Sequence, residues 1–396
     1  MGKSPALHFS YDGASGRRER EARPRRHSDS MSSDSNSSYF EARQQRFRAR
    51  LGARKLAAFL ISKPANVFYL TGFKGSVGAA LVDDSSIRLL VDPRYTLQAR
   101  DQAHGAEVAE VRDSLLRAAV RQLRKAGCRT VGFEDSFLTV AEFQLLRREG
   151  GSSLEWQPSD GLIEDLRVVK DDLEIGLIRQ ACRLTARVFQ QVARKANPGV
   201  SELDLAAELE FRMRRQGGEG AAFESIVASG RRGALPHAAP SANLLGPGEL
   251  VIFDFGAIVG GYCSDMTRTL YLGEPNRRMR MLYEAVKEAQ QAAVERLRDG
   301  AQAGDVDAEA RRRLAKRKLA GFFTHSTGHG VGIEIHERPR IAKSEKYRIP
   351  ARAIVTVEPG IYLEGLGGIR IEDTVLVGEA GPEVLTGAPK DEWFTG

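Results

Sequence analysis

Cysteine is scarce in this chain: Cys128, Cys182 and Cys263 lie far apart and follow no C-x-x-C spacing. That excludes a disulfide framework and a zinc knuckle, and fits a reducing compartment. No run of about 18 apolar residues occurs, so no membrane-spanning helix is expected. The N-terminus lacks the apolar segment of a secretory signal, and a cytoplasmic location is the expectation. Charge of a single sign is also missing from the body of the chain. The net charge is +7, but residues 1–50 alone hold eleven Lys/Arg against six Asp/Glu, so most of the excess sits there. A charged tail is not a basic patch on a folded face, and no nucleic-acid partner is expected.

What is present is ordinary globular composition, 42% hydrophobic and 28% charged over 396 residues. That length exceeds what one core usually serves, so two domains are expected. Residues 1–42 read as a disordered basic, Ser-rich tail, because they lack apolar periodicity and cannot bury enough surface to offset ordering entropy. Met31 reads as the biological start.

Residues 43–166 alternate short apolar runs with amphipathic stretches, which predicts a smaller α/β domain. Expected strands are Ala57–Ile61, Val67–Leu70, Ala79–Val82, Ile87–Val91, Glu107–Val111 and Thr130–Phe133. Residues 167–396 read as an α+β domain, with helix pairs flanking a largely antiparallel sheet. Asn197-Pro198-Gly199 stops one long helix and Ser201 caps the next. Strands are expected at Leu250–Phe255, Cys263–Tyr271, Ile354–Val357 and Ile369–Val377.

Three elements of this second domain carry chemistry. Apolar runs around Gly260-Gly261 predict a β-hairpin bearing Asp254 and Asp265. A turn centred between Val259 and Gly260 puts the two acids opposite each other. A turn centred on the Gly pair makes Asp254 face Thr267, with Asp265 its diagonal neighbour. Either register holds both carboxylates on one face within about 5–8 Å. Like charges that close are costly without a cation between them. The second element, His325-Ser-Thr-Gly-His329 through His336, gathers three of the chain's seven histidines within twelve residues. It lacks the H-E-x-x-H spacing of helical zinc peptidases. In the third, Glu358 and Glu372 sit in apolar surroundings on either side of Gly365, Gly367 and Gly368, so a second hairpin can bring them together.

In this order the elements resemble the pita-bread metallopeptidases, in particular the aminopeptidase P, prolidase and creatinase branch. The stretches DFGAIVGGYCSDMTRT, HSTGHGVGIEIHE, VTVEPGIY and GIRIEDT carry the resemblance, with SIVASGRRGALPHAAPS and NVFYLTGFKGS upstream. It implies a pita-bread catalytic domain preceded by a creatinase-like N-terminal domain. Asp254, Asp265, His329, Glu358 and Glu372 would hold two divalent metal ions, with Asp265 and Glu372 bridging. The metals would hold a bridging hydroxide as nucleophile, and Glu358 would also shuttle the water's proton. His237 and His336 would act beside the scissile amide and its oxyanion, and His325 and Arg370 on the substrate side. The hard, oxygen-rich ligand set favours Mn²⁺, with Co²⁺, Zn²⁺ or Fe²⁺ as alternatives.

The implied activity is hydrolysis of the bond between an N-terminal residue and proline, in Xaa-Pro dipeptides or in Xaa-Pro-Yaa peptides. A homodimer is implied as well. Alternatives are a methionine aminopeptidase-type activity and a non-catalytic pita-bread interaction protein. Arg231-Arg232 stands where relatives often carry Asn or a small residue, which bears on subsite preference.

Overall fold

The computed structural model describes residues 33–159, 161–391 and 393–395. The first domain is a six-stranded mixed sheet with the spatial order 107–110, 87–91, 79–83, 58–61, 130–133 and 155–158. In the central strand Ala58–Ile61 the alternation is hidden, because both faces are covered. Phe59 and Ile61 join one core cluster with Phe47 and Leu70, while Ala58 and Leu60 join another with Leu123 and Leu146. A strand buried on both faces reads as a continuous apolar run.

Two expectations for this region are corrected. Val67–Leu70 is not a strand but part of the helix Pro64–Thr71. Every residue from Asn66 to Thr71 is buried, which erases helical periodicity. The remaining signals were the Pro at the helix start and Gly72, whose φ of 81° closes the helix in the left-handed region. The described part of the expected tail is helical, for a helix runs from Ser33 to Ala53. Phe40 is buried and stacks on His104 at 4.6 Å between ring centroids. Arg43 is fully buried and bonds Asp171 at 2.8 Å. Tertiary burial here overrides a polar composition of low helix propensity. The rest of the expected tail, including Met31, lies outside the described residues.

In the second domain the helices Asp172–Ala193 and Glu202–Arg215 pack with the strands Leu250–Phe255 and Met266–Leu272 in one core. The helices Arg277–Val294 and Ala303–Lys316 cover a five-stranded sheet that includes Gly328–Gly330, Ile354–Val357 and Asp373–Val377. Ser201 caps the second helix by accepting from the Asp204 amide. No helix among the described residues is long and apolar enough to cross a membrane.

The two long strands expected around the acids are each broken, and the breaks place the acids. Ile369–Val377 divides into Gly367–Arg370 and Asp373–Val377. The first part pairs with Gly360–Leu363 and the second with Ile354–Val357 in one continuous register, Gly360 opposite Arg370 and Val357 opposite Asp373. That register puts Glu358 opposite Glu372 in the gap between the ladders. There the Glu358 amide donates to the Thr327 carbonyl at 2.8 Å, and the Glu372 amide to the Thr267 carbonyl at 3.1 Å. The gap thereby bonds both neighbouring segments, the first hairpin included.

Candidate active site

The first hairpin adopts the register with its turn on the glycine pair. Val259 lies opposite Tyr262 and Asp254 opposite Thr267. Gly260 and Gly261 take φ of 61° and 85°, as a two-residue hairpin turn of this twist requires. The same register puts Gly256 across from Asp265, where a Cβ would meet the Ser264 carbonyl oxygen at 1.8 Å. Only glycine allows the strand bearing Asp265 to approach so closely.

All nine residues singled out from the sequence line a single cavity of about 570 Å³. Ligand atoms of Asp265, His329 and Glu372 lie within 4.8 Å of one another. His329 Nε2 stands 3.6 Å from Asp265 Oδ2 and 3.5 Å from Glu358 Oε1. His329 Nδ1 lies 3.0 Å from the Gly330 carbonyl, so it carries the proton and leaves Nε2 as the free donor atom. Asp254 Oδ1 is buried without a hydrogen-bond partner.

The electrostatics of these groups suit cations. Burial, then the neighbouring Asp254 and Glu358 carboxylates, pushes the Asp265 carboxyl well above its ordinary range. Burial and the same kind of crowding raise Glu372, and burial pushes Glu358 up to about 8. Burial drives His329 down to about 4, which keeps its imidazole neutral. Four converging carboxyls, a neutral imidazole and an orphaned carboxylate oxygen fit a divalent-metal centre.

The four remaining residues occupy different settings. His237 and His336 are exposed to the cleft, and the His336 ring lies 4.4 Å from that of His329. His325 is enclosed: Nδ1 bonds the Ser326 carbonyl and Nε2 meets the Tyr362 hydroxyl, both at 2.8 Å. Burial pushes its imidazole down to about 4. Arg370 is buried, and its N–H groups are largely engaged by the protein. It donates to Asp254 Oδ2 and to the Tyr362 hydroxyl, both at 2.6 Å, to Thr267 Oγ1 at 3.1 Å and to the Pro236 carbonyl at 3.2 Å.

Sequence reasoning missed Tyr362, which joins His325 to Arg370, although it stands in the VTVEPGIY stretch. A wall from the first domain is expected from the resemblance, but its residues were not named: Lys63 and Glu164, with Arg167 at the domain junction, reach the cavity. No spacing rule connects residues so far apart in the chain. Arg232, half-buried, donates to Glu202 Oε2 at 2.9 Å and to the Ala239 carbonyl at 2.5 Å. Glu202 also accepts from the amides of Ser229 and Ser241, so it ties both feet of the His237 loop.

Comparison with known proteins agrees with this geometry. Residues 176–379 match metallopeptidase family M24, and residues 43–169 match the creatinase/prolidase N-terminal domain. An uncharacterized peptidase of Bacillus subtilis is 36% identical over 347 residues, which is 88% of this chain and 98% of that protein. The Xaa-Pro dipeptidase of Pyrococcus furiosus is 36% identical over 328 residues, 82% of this chain and 92% of its own length. Among solved structures, the Xaa-Pro dipeptidase of Bacillus anthracis superposes with a TM-score of 0.87 at 35% identity, covering 90% of this chain and 100% of that one. The X-Pro aminopeptidase of Thermotoga maritima gives 0.83 at 34% identity, covering 89% and 100%. With a pita-bread catalytic domain behind a creatinase-type N-terminal domain, the chain belongs to metallopeptidase family M24.

Proposed function

We propose that the protein is a two-metal exopeptidase that hydrolyses the peptide bond preceding proline, with Xaa-Pro dipeptides as its main substrates. The observation that carries the reading is the convergence of Asp254, Asp265, His329, Glu358 and Glu372 on one cavity, with Asp254 Oδ1 buried and unpartnered. Two divalent cations held there, Mn²⁺ by the hardness of the ligands, would supply a hydroxide nucleophile at neutral pH and polarise the scissile carbonyl.

The protein's own groups do the rest. Glu358, whose Oε1 lies 3.5 Å from His329 Nε2, is placed among the ligands to take and return a proton as the bond breaks. His336 and His237, exposed at the cleft, donate hydrogen bonds to the oxyanion and to the amide side of the substrate. His325, kept neutral, forms the wall for the proline ring together with Tyr362. Arg370 holds Asp254 and the Pro236 carbonyl, and so orients both a ligand and the base of the His237 loop.

Short substrates are favoured by the wall from the first domain. On that wall Lys63 pairs with Glu334, Arg167 with Glu337 and Arg338 with Asp165. Arg340 lines the same cavity with no acidic partner among the described residues, and suits the terminal carboxylate of a dipeptide. We also propose a cytoplasmic location, supported by the free state of all three cysteines, and a homodimer, which sedimentation would test.

Assays of the purified protein with Mn²⁺ on Ala-Pro, Ala-Pro-Ala and Met-Ala-Ser separate the possibilities. Cleavage of Ala-Pro alone is expected. Cleavage of the tripeptide Ala-Pro-Ala shifts the reading to an aminopeptidase P, and cleavage of Met-Ala-Ser to a methionine aminopeptidase. No turnover with any divalent metal, and none found by elemental analysis, removes the peptidase reading.

A further inference from the structure

His336 has no hydrogen bond on its ring among the described residues, so its place in the cleft is inherited from its backbone. That backbone is a tight turn: the Gly332 amide donates to the Glu334 carbonyl at 3.1 Å, and the Glu334 amide to Glu337 Oε1 at 3.0 Å. Glu337 therefore closes the turn that presents His336. Its carboxylate is buried, and burial alone would raise it, yet the Arg167 guanidinium and Lys170 ammonium hold it at about 2.

Arg167 is in turn aimed by the first domain. It donates through Nη2 to Glu337 and, at 2.9 Å, to Glu334, while Nη1 donates to Asn66 Oδ1 at 2.7 Å. Asn66 is fully buried, and its Nδ2 donates to Glu134 Oε1 and Glu164 Oε1, both at 2.7 Å. Glu134 Oε2 accepts from the amides of Ser62 and Lys63, each at 2.7 Å, so the Asn66 side chain is pinned to the rim of the first sheet. A continuous, buried hydrogen-bonded chain thus runs from the first domain to the residue beside His336.

We propose that Asn66 is a positioning residue for the His336 turn, acting through Arg167 and Glu337. The N-terminal domain then sets the catalytic geometry as well as covering the cleft. A planar amide suits the position, because it donates to the acids behind it and accepts from the guanidinium in front. Hydrogen bonds to a reacting centre fail over displacements of about an ångström, so loosening this turn acts on turnover. The inference deepens the peptidase reading and rests on it.

The test uses full-length, Mn²⁺-loaded protein with Asn66→Ala, and with Asn66→Ser as a milder change that keeps a short hydrogen-bonding group and adds no charge beside Glu134 and Glu164. For Asn66→Ala, kcat on Ala-Pro should fall roughly 10- to 100-fold while KM moves by less than about three-fold. Metal content should be unchanged, amide exchange should quicken in residues 333–338, and residues 254–265 should keep their protection. Asn66→Ser should fall between Ala and wild type. Unchanged kcat, or a loss accompanied by lost metal or by equal exchange in 254–265, overturns the inference. If Asn66→Ala does not fold, Asn66→Ser decides by the same readouts. Failure of the peptidase reading looks different, since wild type itself would then show neither metal nor turnover.

Discussion

Arg370 Nη2 donates to Asp254 Oδ2 at 2.6 Å and leaves the other oxygen, Oδ1, buried with no partner. One oxygen is thus committed to holding the carboxylate in place and the other is free to ligate. The five proposed ligands come from five separate strands and loops around the cavity, and their placement has measurable consequences.

Removing the metal should make stability depend on pH in a defined direction. Burial raises the Glu358 carboxyl from its ordinary 4.5 to about 8, and Asp265 and Glu372 are raised too. A carboxyl raised on folding contributes stability that is present below its unfolded pKa and lost as pH climbs through the folded value. The metal-stripped protein should therefore lose thermal stability between about pH 4.5 and 8, since its acids must ionise side by side. Added Mn²⁺ should raise Tm more at pH 8.5 than at pH 5.5 and release protons. Calorimetry in two buffers of different ionisation enthalpy measures both. An equal Tm gain at the two pH values would contradict the metal-centre assignment.

Asp265→Ala should abolish turnover and reduce bound metal, because Asp265 belongs to the tightest ligand group, with His329 and Glu372. Thr267→Val is the subtler companion. Thr267 Oγ1 donates to Glu372 Oε2 at 2.6 Å and accepts from Arg370 Nε. Its loss should weaken metal affinity roughly 10- to 100-fold while the fold persists. Equilibrium dialysis followed by elemental analysis reads both effects.

Tyr362→Phe keeps the ring and deletes the hydroxyl that joins His325 to Arg370. The two lost hydrogen bonds should cost about 1–3 kcal/mol, and kcat/KM for Ala-Pro should fall roughly 10-fold or more. Metal content should stay at the wild-type level. Steady-state kinetics and elemental analysis on the same preparation check this, and unchanged kcat/KM would place Tyr362 outside the working site.

Arg232→Ala releases one strap on the His237 loop without touching the metal ligands. The pair with Glu202 is partly exposed on the arginine side, so the stability loss should be about 1 kcal/mol or less. KM for Ala-Pro should rise several-fold as the loop loosens. Glu202→Ala, which strips the Ser229 and Ser241 amides of their buried acceptor, should destabilise by about 1–3 kcal/mol or more. Chemical denaturation compares the two variants directly.

Much of this protein was determined by local sequence. The Gly260-Gly261 turn, the Ser201 cap and the strand Leu250–Phe255 follow from period, turn chemistry and capping, all of which act over a few residues. The four acids and the histidine of the proposed cage stood out for the same reason, at fixed offsets from glycines and apolar runs, while their roles as ligands come from the family resemblance. Between the two hairpin registers, however, only the folded chain chose, because a shift of turn centre satisfies the same apolar pattern.

Tertiary structure alone decided the rest. A helix in place of a strand at 64–71 followed from burial on every side, and the early start of the first helix from Phe40 and Arg43 finding partners far along the chain. The broken strands at 263–266 and 370–373 arose where a chain must leave one ladder for another, a demand set by neighbouring segments and invisible within either. The same holds for the link from Asn66 through Arg167 to Glu337, which joins residues 101 and 170 positions apart. Local residues specify which groups can do chemistry; long-range packing specifies what holds each group still.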